Sequence, residues 1–383
     1  MTFPTTRLRL MIPHPLRLAI AVAVPVPAFL LSASRSLAVA TRSCPRTQGT
    51  PTFTRACSSR PIPLSSRGGM ASVAAQPPQN TPFARAVVQA LRSLYPEEVA
   101  DRVWDNVGLL LGNFDSPTQQ SLGLEPSSEH KTILLTNDLS PSVAQEAVDK
   151  KASLIVSYHP FIFRGLKSVD LVDPQQRILL QLAQKNIAVY CPHTAVDAVP
   201  GGLNDWLVDV ICGSQQPQSR SAVQPTSSPP PAGFEGAGYG RKVDFAQPVA
   251  VSDLVLRLAT GLGGLKHVMV AAPSRFDVST ARVQSAAVCA GSGWDVLKSC
   301  AVDVLVTGEM SHHNALRATM EGKLVITVFH SNSERAYLRQ RMQPALEAEL
   351  HRTGVEAQIL VSEEDKDPFE IWDVERLTAG SAP

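Results

Sequence analysis

Five short apolar runs in this chain each lead straight into a side chain that can ligate a metal ion or carry a proton. Ile133-Leu-Leu-Thr-Asn137 runs into Asp138, and Leu154-Ile-Val-Ser-Tyr158 into His159. Ile187-Ala-Val-Tyr-Cys191 leads to His193 and then Asp197. Val304-Leu-Val-Thr-Gly308 leads to Glu309, with His312 and His313 behind it, and Leu324-Val-Ile-Thr-Val-Phe329 leads to His330 and Glu334. The runs alternate with segments of helical periodicity, the pattern of an α/β protein with mostly parallel strand pairing. In open α/β sheets ligands bind outside the carboxyl ends of the strands, so side chains far apart in sequence are expected to converge there.

The predicted strands are Thr132–Thr136, Leu154–Ser157, Ile187–Cys191, Ala286–Ala290, Val304–Thr307 and Leu324–Phe329. Apolar spacing predicts a helix over 83–95, ended by Pro96, and further helices over Pro141–Lys150, Pro174–Lys185, Val251–Thr260 and Ser333–Glu349. Between 213 and 241 Gln, Ser, Pro and Gly dominate, including Pro229-Pro230-Pro231. Such a segment buries little apolar surface and reads as a linker or long surface loop. It divides an N-terminal α/β lobe (83–212) from a C-terminal α/β lobe (242–373), in keeping with roughly 150 residues per domain.

Charge is unevenly placed. Eleven arginines, no lysine and no acid precede Glu97, which leaves 24 basic against 34 acidic residues from there on. The folded part is therefore acidic, which argues against a nucleic-acid-binding module. Residues 1–69 carry the Arg-, Ser- and Ala-rich, acid-free composition of a transit peptide, pointing to the mitochondrion or another organelle. Two other readings fit the same stretch. Leu18–Leu31 behind Arg7, Arg9 and Arg17 has the layout of a secretory h-region, although Pro25 and Pro27 interrupt it. Translation from Met70 would make 1–69 an upstream extension of a cytoplasmic protein. No uninterrupted apolar run is long enough to predict a transmembrane helix. The six cysteines include no C-x-x-C pair, which argues against a structural zinc ribbon and a small disulfide scaffold.

The strand-end set is imidazole plus carboxylate, a donor mix suited to Zn²⁺, Fe²⁺ or Mn²⁺. Each member also has an ordinary reading. Asp138 stands before Leu139-Ser140-Pro141, where capping the next helix is the simpler role. Ser331-Asn-Ser-Glu334 has the form of a capping box, but His330 four residues before Glu334 lets both side chains reach one point. His159 alone could be a polar contact, and Cys191 and Cys289 read as small core residues. His312 and His313 are about 100° apart on a helix, so only one can face inward. Gly291-Ser292-Gly293 forms a glycine-rich turn after a strand, able to present N–H groups to a phosphate or simply to turn tightly. The dinucleotide fingerprint is incomplete, and no Walker A sequence or nucleophile elbow is present.

The motifs together resemble the Nif-three-like family, the GTP cyclohydrolase 1 type 2 homologues. They are Trp104-Asp-Asn-Val-Gly-Leu-Leu, Thr136-Asn-Asp-Leu, Ser157-Tyr-His-Pro-Phe-Ile-Phe, Pro192-His-Thr-Ala-Val-Asp197 and Gly201-Gly-Leu-Asn-Asp-Trp206, then Cys289-Ala-Gly-Ser-Gly, Thr307-Gly-Glu-Met-Ser-His-His313 and His330-Ser-Asn-Ser-Glu-Arg335. They occur in family order over about 83–373 and are most similar to the eukaryotic branch. The resemblance implies two related α/β lobes facing a two-metal cleft, usually in ring-shaped homohexamers. It aligns His159, Asp197, His330 and Glu334 with metal ligands of two divalent ions, Glu334 bridging. Bacterial members commonly carry a His-His pair where this chain has Tyr158-His159, which implies that one ion loses a ligand and binds weakly, or that a phenolate or water replaces it. The family label implies hydrolytic C–N cleavage of a nucleotide-like substrate, with His193, His312 or His313 as general acid or base and Gly291, Ser292 and Gly293 near a phosphate. The family name also implies a rival role, a non-catalytic metal-stabilised scaffold that binds a transcription cofactor.

Overall fold

The computed structural model describes residues 79–124, 130–274 and 276–374. The leader, residues 1–69, lies outside them. The first sheet contains β1 (Gly108–Leu111), β2 (Thr132–Thr136), β3 (Leu154–Ser157) and β4 (Ala188–Cys191). The second contains β5 (Pro217–Pro225), β6 (Gly238–Ala250), β7 (Met269–Ala271), β8 (Arg282–Cys289), β9 (Val304–Thr307) and β10 (Leu324–Thr327). A last strand, β11 (Gln358–Val361), returns to the first sheet and gives the order β1-β4-β3-β2-β11. The second sheet runs β5-β6-β8-β9-β10-β7. The central pairs β2–β3, β3–β4, β8–β9 and β9–β10 are parallel, while β1, β5, β6 and β7 pair antiparallel at the flanks. The expected α/β class thus holds. β2, β3, β4, β9 and β10 are buried at every residue, as strands covered on both faces must be.

Three expectations change. The 213–241 segment is not simply a linker, because β5 and the start of β6 lie inside it and form a long antiparallel pair. β5 is an edge strand with its prolines at its two ends, where a missing N–H breaks no ladder bond. The 242–373 boundary also fails, since β11 pairs in parallel with β2. The helix expected over Ser333–Glu349 is interrupted. A short helix Arg335–Tyr337 passes through a π turn, Leu338–Met342, before the helix Gln343–Arg352 begins. Pro344 supplies the reason, because its ring excludes the regular i−4 contact and it has no N–H to give.

A large core joins the elements, with Trp206, Tyr190, Tyr337 and Phe245 among its largest buried side chains. Each fully buried aliphatic or aromatic side chain contributes about 1.5–3 kcal/mol. Trp206 also donates its Nε1–H to Gln340 Oε1 at 3.1 Å and meets Tyr337 edge-on. Arg241, 2% exposed, donates to the carbonyls of Ala198, Val199, Gly238 and Gly240 and pairs with Asp205 at 2.9 Å. This buried guanidinium ties β6 to the turn that follows Asp197. Among the described residues no helix is long and apolar enough to cross a membrane.

Candidate metal centre

The parallel strands of both sheets deliver their carboxyl ends to one place. β2 ends into Asn137 and Asp138, β3 into Tyr158 and His159, and β4 into His193 on the short helix His193–Ala198. From the second sheet, β9 ends into Glu309, and β10 into His330 and then Glu334. One ligand atom each from His159, His330 and Glu334 lies within 4.8 Å of the others. His159 Nε2 is 3.3 Å from Glu334 Oε2, and His330 Nε2 is 3.6 Å from Glu334 Oε1. Glu334 is 2% exposed and also accepts Asn137 Nδ2–H at 3.0 Å.

Each imidazole is held from behind by a carboxylate. His159 Nδ1 meets Asp138 Oδ1 at 2.8 Å, and His330 Nδ1 meets Glu309 Oε1 at 3.0 Å. That arrangement turns both Nε2 atoms toward Glu334, as the outer partners of metal-bound histidines do. Burial works against a charged His159, but Glu334 and Asp138 outweigh it and push its pKa up to about 10. Burial likewise works upward on Glu334, yet His159, His330 and Asn137 hold its carboxyl below the usual range. Asn137 Oδ1 is buried without a hydrogen-bond partner, an open acceptor beside the cluster. Two facing imidazole nitrogens, a buried carboxylate and a spare carbonyl oxygen fit a divalent cation. The neighbouring thiols do not compete, since burial raises both Cys191 and Cys289.

The backbone is constrained to make this cluster. Phe329, directly before His330, has φ +70°, and His193 has φ +23°, values that a non-glycine residue adopts at a cost of about 1–3 kcal/mol. Gly291, φ +60°, lies so close that a Cβ would stand 2.8 Å from Glu334 Oε1 and 3.0 Å from His330 Nε2.

The family model for DUF34/NIF3 (NGG1p interacting factor 3) matches residues 83–368. The chain belongs to this family. The protein NIF3 homolog of Schizosaccharomyces pombe is 42% identical over 282 residues, covering 73% of this chain and 95% of that protein. NGG1-interacting factor 3 of Saccharomyces cerevisiae is 38% identical over 291 residues, covering 74% and 96%. The fold is that of hypothetical protein SA1388 of Staphylococcus aureus, with a TM-score of 0.60 at 21% identity, over 77% of this chain and all of that one.

The DUF34/NIF3 chain assembles three of its four expected ligands. Asp197 shares no such set: its Oδ1 accepts the Tyr158 hydroxyl at 2.7 Å. Burial, with the charges of Glu334 and Asp105 adding to it, raises Asp197 to about 6 against the opposing pull of His193 and Tyr158. Burial, and then Asp197, hold the Tyr158 phenol well above its ordinary pKa. His193 stands beside the cluster, its ring 5.5 Å from His159 and 5.4 Å from Tyr158. Its Nδ1 meets Asp105 Oδ1 at 2.7 Å, and Thr194 binds the other oxygen of that carboxylate. Burial would raise Asp105, but His193 and Thr194 hold it low and charged.

Other expectations are corrected. His312 and His313 are exposed at the start of the helix His312–Met320, their rings meeting each other rather than the cluster. The glycine-rich turn offers little to a phosphate. Its donors are committed: Ala290 N–H to Asn204, Gly291 N–H to Ser333 and Gly293 N–H to Thr307. Ser292 is the exposed member of the three. Ser140, not Asp138, caps the helix Pro141–Asp149, which leaves Asp138 for His159. No capping box forms at Ser331, whose hydroxyl donates to Asp367. Asp105 and Asp365 were not foreseen. Asp365 accepts Asn137 N–H at 2.6 Å across 228 positions of chain, a relation that no local pattern signals.

Proposed function

We propose that this protein is a metal-dependent hydrolase acting on a C–N bond of a nucleotide-like substrate. The observation that carries the reading is the pair of carboxylate-backed imidazoles turned onto one buried carboxylate, Glu334. Bound by His159, His330 and Glu334, a divalent cation supplies Lewis-acid polarisation of a substrate oxygen or C=N bond and acidifies water. Asp138 and Glu309 fix the two imidazoles in place. His193, oriented by Asp105, is the group placed to accept a proton during attack and return it to the leaving nitrogen. The C–N bond and the nucleotide-like substrate come from the family resemblance. The test is metal analysis of the purified chain, then turnover of GTP and a panel of cyclic amides, nucleotides and phosphoesters. Activity that collapses in Glu334→Gln while the fold persists supports the reading; no turnover across the panel by metal-loaded protein sinks it.

A second reading has its own support. The Saccharomyces cerevisiae relative is named as an interacting factor, and here Phe369, Ile371 and Trp372 stand exposed near the end of the described chain. On that reading the protein is a metal-stabilised scaffold with a protein partner. Binding of the partner would then survive Glu334→Gln.

A further inference from the structure

Asp197 is close to the cluster yet outside it, and its carboxylate is engaged by Tyr158. Among the described residues, no second set of three His, Cys, Asp or Glu ligand atoms comes as close together as His159, His330 and Glu334. Tyr158 is 1% exposed, with its ring wedged beside His159 at 5.1 Å and His193 at 5.4 Å. Its hydroxyl donates to Asp197 Oδ1 at 2.7 Å. His193, the nearest other imidazole, has its Nδ1 turned to Asp105. A cation seated at Asp197 would have to share that carboxylate with the Tyr158 hydroxyl, and binding through Oδ1 would leave a buried O–H without this partner, which folded proteins rarely tolerate. It would also find no imidazole where the phenol ring now lies.

We propose that this chain holds a single divalent cation, at His159, His330 and Glu334, and that Tyr158 keeps Asp197 out of coordination, its hydroxyl on one oxygen of that carboxylate and its ring beside His159 and His193 where a further ligand would have to stand. Three protein ligands leave a position free for water or substrate, the arrangement of catalytic rather than structural metal sites. The inference rests on the metal-centre reading above.

The test uses the full chain with Zn²⁺ and, separately, Mn²⁺. Stoichiometry is read by equilibrium dialysis and elemental analysis, and affinity by chelator competition. Wild type is expected to take up one ion per chain. Asp197→Asn is expected to keep it at unchanged affinity, and Tyr158→His, which frees Asp197 and adds an imidazole, to take up a second. Two ions on wild type overturn the proposal, as does a loss of tenfold or more in Asp197→Asn, the size expected when a metal's supporting groups are removed. A folded Tyr158→His that still binds one ion also overturns it. If Tyr158→His does not fold, the wild-type count and Asp197→Asn decide. Wild type that binds no ion fails differently: it removes the metal-centre reading itself, and this proposal with it.

Discussion

Replacing Gly291 by alanine separates the cost of a backbone conformation from the geometry of the metal ligands. Gly291 has φ +60°, and an added Cβ would lie 2.8 Å from Glu334 Oε1 and 3.0 Å from His330 Nε2. Ordinary contact begins at 3.4 Å, so each ligand atom has to retreat by about half an ångström. Metal–ligand distances hold within about 0.2 Å, so a shift of that size takes both groups out of range together. The left-handed conformation itself costs an alanine about 1–2 kcal/mol. Gly322→Ala is the matched control, because Gly322 has φ +83° with nothing within 4 Å of its Cβ. Gly322→Ala should lose about that backbone cost in urea, and Gly291→Ala at least as much. Only Gly291→Ala should lose cation affinity, by about tenfold or more, equivalent to about 1.4 kcal/mol. Competition titration with a chromogenic chelator measures it. Wild-type affinity in Gly291→Ala would refute the claim that this turn is pressed against the ligands.

Three further outcomes follow from the same geometry. Because His159 is raised to about 10, it contributes stability to the metal-free chain that is full below pH about 6.5 and lost by pH about 10. A cation must displace that proton, so affinity should rise with pH by up to about tenfold per unit across the window; calorimetry in buffers of different ionisation enthalpy detects the released proton, and a flat profile counts against the assignment. Asp105→Asn should lower kcat in any hydrolytic assay while leaving cation stoichiometry intact, because Asp105 holds His193 and not the ligand cluster; loss of the ion would show that it supports the metal directly. Arg241→Ala should cost about 3–5 kcal/mol in chemical denaturation, since it removes the buried guanidinium that pairs with Asp205 and binds four carbonyls; a change below about 1 kcal/mol would mean that water replaces the guanidinium there.

Short-range pattern was enough for the inner strands. The apolar runs Thr132–Thr136, Leu154–Ser157 and Val304–Thr307 coincide with β2, β3 and β9, because a strand buried on both faces has to be apolar throughout. The placing of His159, His330 and Glu334 at strand ends was equally legible, since each directly follows such a run or lies within one turn of it. The edges were not. β5 carries mostly exposed polar residues without a period-2 pattern and looks like a loop until β6 lies beside it.

What the chain determined unaided was the list of reactive groups and the strand ends that carry them, because both depend on neighbours only a few residues away. Which of those groups share a centre was decided by tertiary structure. Tyr158 closes off Asp197 across 39 positions, Asn137 reaches Glu334 across 197, and Asp365 reaches Asn137 across 228. Such pairings form only when two sheets bring their carboxyl edges together, and no spacing along one strand or helix encodes them.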